Sequence, residues 1–283
     1  MVTQIGAIPV TLGSLPLSVV DDAGVTWLNT DLKGWSSPGV RAELQPRQAD
    51  HGAWASPVYL DSRPITITGM IAAPTTSARD TAVEQLIAAV SLADTVLTVA
   101  DSIPKRATVR RSGELLIELV GPYNATYSVL VTAPDPRRYS TVLQSQTTGL
   151  PSVSGGLVTP IVTPIVITAS STGGAFTLVN EGTIGTRPVF TVTGPATNFV
   201  ISCTRPGGSV TQLTYSDSIG LGDTLVIDTD AHTVMLNGTV SRRRYLSGTW
   251  PEILPGSSLS VQWSALAYDA AAMLTGTCRS AWM

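Results

Sequence analysis

Charge is what this chain has least of. Asp, Glu, Lys and Arg together make up 13% of its 283 residues, against about 25% in ordinary globular proteins. Mean hydropathy is positive. Such a composition suits a membrane, or a surface largely covered by partner proteins. Long apolar runs are also missing. The most apolar stretch, LVTPIVTPIVITA, is cut by Pro and Thr, well short of the ~20 residues a spanning helix needs. The opening MVTQIGAIPV has no basic segment ahead of an apolar core, so neither membrane insertion nor a secretory signal is expected. Large protein–protein contacts are the remaining reading. The only cysteines, Cys203 and Cys278, allow one bridge at most, and nothing indicates an oxidising compartment. They read as two free, partly buried thiols. The formal net charge of −3 divides into about −2 and −1 on either side of Ser145, so neither half looks like a nucleic-acid clamp. The basic cluster Arg242-Arg243-Arg244 is short and reads as a solvated loop or a subunit contact.

Strand patterns fill most of the rest. PVYLDSRPITITGMIA, LLIELVG, TYSVLVTA, RPVFTVTG, DTLVIDTD, TVMLNGTV and SLSVQWSA are rich in β-branched residues and alternate apolar with polar, as half-buried strands do. Asn237-Gly238 marks a hairpin, because both residues tolerate the positive φ of a type I′ turn. One stretch differs. From Thr76 to Asp94, Val83, Leu86, Ile87 and Val90 recur at helical spacing, which predicts one amphipathic helix with Ser77 as N-cap and Asp80 near the positive end of its dipole. The length points to two domains. The first runs over residues 1–145 as a β-sandwich with the helix. Residues 146–174, rich in Gly, Pro, Ser and Thr with prolines at 160 and 164, read as an extended connector carrying apolar Ile161, Val162, Ile165 and Val166. Residues 175–283 form a second β-sandwich.

No constellation carries chemistry. His51 and His232 sit in a loop and a turn with no local partner pattern, and neither a GxSxG elbow nor an HExxH pair is present. Asp228 and Asp230 lack the rest of a calcium loop and read as turn formers bonding nearby backbone N–H groups. No catalytic, cofactor-binding or metal-binding residue is assigned, and no enzymatic activity is expected.

Four stretches, in order along nearly the whole chain, resemble the distal tail (Dit) proteins of long-tailed bacteriophages. They are VRAELQPRQADHGAWASPVYLDSRPITITGMIAA (Val40–Ala73); VLVTAPDPRRYS with Asp135-Pro136-Arg137-Arg138-Tyr139; GGLVTPIVTPIVI followed by Asn180, Gly182, Thr183, Arg187 and Pro188; and VIDTDAHTVMLNG with SGTWPEILPGSSLSVQW. One departure is that the connector carries Val158 and Ile161 where the family commonly has aromatics. The resemblance implies an N-terminal β-sandwich with a helix and a C-terminal galectin-like sandwich. It also implies a homohexameric ring at the tail tip, joining the tail tube to tail-tip proteins (a tail-associated lysin or baseplate proteins) and receptor-binding proteins, with phage DNA passing through without specific binding. The protein would be assembled in the host cytoplasm and reside in the virion.

The galectin-like label raises an alternative, a tail adhesin recognising host cell-wall glycan. Trp250 and Glu252, with His232, Asn237 and Arg242 upstream, are the right residue types, but they straddle a turn where galectins carry a compact run. Pro251 and Pro255-Gly256 suit instead a rigid corner ahead of a strand in which Leu259, Val261 and Trp263 alternate with Ser258, Ser260 and Gln262. Trp27 and Trp35, flanking LNTDLKG, read as core anchors or as a docking point for the adjacent tail ring. Arg63 reads as a subunit salt link or a rim residue.

Overall fold

The computed structural model describes residues 3–4, 8–154 and 170–283. Val158, Ile161, Val162, Ile165, Val166 and the prolines at 160 and 164 lie outside them. The chain is mainly β and divides into two compact units, Met1–Thr141 with Trp282–Met283, and Val142–Ala281.

The first unit is built on one antiparallel sheet whose central strands run in the order Thr26–Lys33, Arg63–Ala72, Asn124–Ala133, Lys105–Val120, Thr95–Val99 and Val10–Leu12. The 16-residue Lys105–Val120 strand serves three neighbours. Its beginning pairs with Thr95–Val99 and Arg138–Ser140, and from Arg110 onward it pairs with Asn124–Ala133, with a register break between Arg111 and Leu115. Alternation decides the faces. Ile65, Ile67 and Ile71 point into the same core as Tyr127, Val129 and Val131, and Val10, Leu12, Leu97 and Val109 close it from the other neighbours. Trp27 and Trp35 belong to this core, with Trp27 Nε1 donating to Asp21 Oδ2 at 3.2 Å. They are anchors, as one of the two expectations held.

The helix spans Thr76–Ala89 and is capped by Thr75, not Ser77; the Thr75 side chain accepts from Ala78 N at 3.2 Å. Thr75 follows Pro74 in the extended conformation a cap requires. This starts the helix early enough to leave Asp80 beyond the first turn, where its carboxylate pairs with Arg79 at 2.7 Å. Ile87 is exposed, because the inward stripe runs through Arg79, Ala82 and Leu86. Arg79 keeps its charge satisfied by donating to the carbonyls of Gly121 and Pro122 at 3.1 and 2.9 Å. It thereby ties the helix to the turn between Val120 and Asn124.

The second unit is a sandwich. One sheet orders Gln144–Gly149, Met273–Cys278, Val189–Thr193, Thr224–Asp228, Thr233–Leu236 and Val240–Ser241. The other orders Ala175–Asn180, Ser257–Ser264, Val200–Thr204, Val210–Tyr215 and Leu246–Gly248. Alternate residues of the central strands of both sheets enter one core, including Phe190, Ile227 and Leu274 from the first and Leu178, Ile201, Leu259, Val261 and Trp263 from the second. The sheets approach closely enough that a Cβ on Gly276 would stand 2.5 Å from the Phe176 ring. Residues 144–149, divided by composition between the first domain and the connector, form an edge strand of this unit; Gln144 also bonds Val179 through both ends of its amide. Asn237 and Gly238 have φ of 50° and 70°, and Thr239 N donates to Leu236 O at 3.1 Å, the tight turn their types demand. Cys203 and Cys278 are unbridged and more deeply buried than expected; burial pushes their thiols up to about 12 and about 11.

Candidate assembly surface

The 21 residues from 39 to 59 are all exposed. They form a two-part ribbon, Val40–Arg41 pairing with Tyr59–Leu60 and Leu44–Pro46 with Ala53–Ala55, and neither part joins the main sheet. On it Val40, Leu44, Trp54, Val58 and Tyr59 each leave between 62% and 66% of their surface open. Exposed apolar side chains gathered in this way mark interaction surfaces in proteins generally. Burying each is worth roughly 1.5–3 kcal/mol. The tip is polar. Arg47 reaches Asp50 at 3.3 Å and lies 4.5 Å over the Trp54 ring, and His51 is an exposed tip residue, as expected of a loop.

The root of this arm is rigid. Gly34, at φ +82°, crosses the returning chain so closely that a Cβ would stand 2.0 Å from Pro64 O. Only glycine suits that position. Between the two feet lies Arg63, fully buried, which corrects both readings of it as a salt-linking or rim residue. Its Nε donates to Pro136 O at 2.8 Å, and its Nη1 donates to Trp35 O at 2.5 Å and Gly34 O at 3.3 Å. The guanidinium therefore pins both feet to the Asp135–Tyr139 turn. Burial, with Arg138 adding its positive charge and Asp135 opposing, brings the Arg63 group down to about 10. The turn supports the grip: Asp135 accepts from Arg137 N at 3.1 Å and from Tyr139 Oη at 2.5 Å. Burial, reinforced by Asp135, raises the Tyr139 phenol well above its ordinary range. Arg138 lies 5.6 Å over the Trp35 ring.

The residue types of a sugar site do not converge. Asn237 donates to Asp223 at 2.8 Å and accepts from Thr224 N. Arg242 pairs with Asp217 at 3.4 Å. His232 and Trp250 do meet, but their rings are stacked on each other at 4.7 Å and 14°. The Arg243 guanidinium lies 5.0 Å from the same indole. Trp250 is half-buried against the second core, with Pro251 and Ile253 buried beside it, so it is a corner piece. Asp228 accepts from the N–H groups of Asp230 and Ala231, both at 2.9 Å, which is turn chemistry. Among the described residues no group of three or more His, Cys, Asp or Glu could hold a metal.

The Asn180–Pro188 motif is a buried polar knot. The Asn180 amide nitrogen donates to Ile184 O at 2.7 Å, Ile253 O at 3.2 Å and Leu254 O at 3.3 Å. Its oxygen accepts from Gly182 N at 3.0 Å and Ala281 N at 3.1 Å. Gly182 passes so near Ala281 that a Cβ would fall 1.7 Å from its carbonyl oxygen. Arg187 reaches Asp230 at 3.5 Å. In the sequence these residues stand out only through the family resemblance. An Asn two positions before a Gly at a strand end was the available signal for such a knot.

Residues 181–270 match the model of the siphovirus-type tail component, C-terminal domain, of the SPP1 Dit family. Among solved structures, the Dit protein (gp 19.1) of phage SPP1, described as a paradigm of the hub adsorption apparatus in phages infecting Gram-positive hosts, is similar at 10% identity and a TM-score of 0.65. The match covers 98% of this chain and 100% of that one. Chains of the phage P2 baseplate in its activated conformation are similar at 8% identity with a TM-score of 0.49 and at 10% with 0.47, each covering 93% of this chain and 100% of that one. No curated protein matches the chain by sequence. The C-terminal domain of this family is thus present in residues 181–270, and the chain shares the fold of a Dit protein over nearly its whole length.

Proposed function

We propose that the chain is the structural hub of a phage tail tip. Six copies close into a ring that joins the tail tube to tail-tip or lysin and receptor-binding proteins and lets DNA through. The N-terminal unit forms the ring, and the C-terminal unit, a galectin-like sandwich, faces the tip proteins. The observation that carries this reading is the arm, with five exposed large apolar side chains on residues 39–59 held at a rigid root. An interface that uses an arm of one copy and a different surface of the next is heterologous, and a heterologous contact that closes makes a ring without free ends. The scarcity of charge and the net −3 suit a subunit with much of its surface covered and a passage that does not hold a polyanion. The role is architectural, not enzymatic, with the virion tail tip as its place and the host cytoplasm as the site of assembly.

Native mass spectrometry and electron-microscopy class averages of the purified chain, over a range of concentrations, test the reading. A six-fold ring is expected, and its loss in a Leu44→Asp/Trp54→Asp variant that melts like the parent. A parent chain that stays monomeric at high concentration and with tail-tube protein present overturns it.

A further inference from the structure

A second surface lies away from the ribbon of residues 39–59 in sequence and belongs to the other unit. In the second unit, three separate segments bring aromatic rings and guanidinium groups together. His232, from the turn after Thr224–Asp228, stacks on Trp250 at 4.7 Å, and Arg243 lies 5.0 Å from the Trp250 ring. Next to Arg243 in the chain, Arg244 lies 4.6 Å over the Tyr245 ring and donates to its hydroxyl, and Arg242 is 5.7 Å from the same ring. Arg242 is neutralised by Asp217 at 3.4 Å. Arg243 and Arg244 are exposed and, among the described residues, have no carboxylate partner; Arg243 Nη1 bonds the Leu246 carbonyl at 2.7 Å.

An arginine held against an aromatic ring has already lost part of its rotamer freedom, so its free N–H groups bind a carboxylate at reduced entropic cost. Arg, Trp and Tyr are also the residues that dominate binding energy in protein interfaces. Val240, half-exposed on the edge strand Val240–Ser241, adds apolar contact beside the charges. A long polyanion fits poorly. Asp217 faces Arg242, and Asp228 and Asp230 flank His232 in its turn, so a continuous row of phosphates would meet carboxylates on either side. A short acidic segment that sets one or two carboxylates on Arg243 and Arg244 avoids them.

We propose that the Arg243–Arg244–Trp250–Tyr245 cluster is a docking site for an acidic segment of a partner protein. The inference rests on the hub reading for the identity of that partner as a tail-tip component, but its test does not. Fluorescein-labelled poly-L-glutamate is the probe, titrated into the full chain by fluorescence anisotropy, with inorganic polyphosphate in parallel. Poly-L-glutamate is expected to bind, and to lose at least 10-fold in affinity in Arg243→Glu/Arg244→Glu. Arg110→Glu, a charge reversal in the other unit, is expected to stay within twofold of the parent. Native mass of the same samples separates the two claims: ring formation unchanged in the double variant leaves the hub reading intact whatever the probe does. Equal poly-L-glutamate binding by parent and double variant, or no binding by the parent, overturns the proposal. So does tighter binding of polyphosphate than of poly-L-glutamate, which would assign the cluster to a phosphate-bearing polymer. If the double variant fails to fold, Arg244→Gln, a neutral exposed change, carries the same comparison with a smaller expected loss of about threefold.

Discussion

Replacing Arg63 with Met keeps most of the side-chain volume and removes the guanidinium that joins the arm's two feet to the Asp135–Tyr139 turn. Two of its hydrogen bonds are short, 2.8 Å to Pro136 O and 2.5 Å to Trp35 O; the third, 3.3 Å to Gly34 O, is weak. Hydrogen bonds from a charged donor contribute about 1.5–3 kcal/mol each, so the two short ones total roughly 3–6 kcal/mol. Against this stands the cost of holding a buried cation whose Nη2 has no partner, on the order of 1–2 kcal/mol of desolvation that the Met variant relieves. The net loss is about 2–4 kcal/mol, or a fall in Tm of roughly 5–15 °C for a unit of this size. Urea denaturation of the full chain, followed by near-UV circular dichroism to report Trp35, measures it. Arg63→Lys, with a point charge that reaches one carbonyl at a time, is expected between the two. A Met variant within about 0.5 kcal/mol of the parent would refute the clamp, because it would mean that the three carbonyls find water or new donors at no cost.

The other predictions concern the second unit. Asn180→Ala should cost about 3–5 kcal/mol, since one fully buried amide satisfies three carbonyls and two N–H groups; a melting curve unchanged from the parent's would show that the knot is dispensable. Trp250→Ala should destabilise by about 1.5–3 kcal/mol, less than a fully buried Trp because the ring is half-exposed, and unchanged stability with loss of glycan binding would restore the adhesin alternative. Cys203 and Cys278 should resist a thiol reagent at pH 8 until the chain is unfolded, because burial holds both as neutral thiols. Their folded values lie above the ordinary 9.0, so the stability they contribute is complete below about pH 9 and declines as pH rises toward 11–12. A Cys203→Ser/Cys278→Ser chain that loses stability just as steeply over that range would assign the decline to other groups.

Local rules were enough for the periodic parts of the molecule. Leu259, Val261 and Trp263 face the core and Gln262 and Ser264 the solvent because side chains alternate along any strand. Asn237-Gly238 turns the chain because those two types accept positive φ wherever they stand. The low charge, the absence of a catalytic pattern and the order of family motifs were likewise visible in the residues alone. Tertiary structure decided the rest, where a side chain's meaning depends on distant segments. Arg63 and Arg79 are charged residues that no pattern places inside, yet both are buried because carbonyls from remote turns converge on them. His232, Arg243 and Trp250 come together only because a hairpin turn of one sheet meets the crossover that leads to the other sheet and the corner that follows it. The arm escaped pattern reading for the opposite reason. Alternation records the presence of a buried face, and residues 39–59 have none within a single chain.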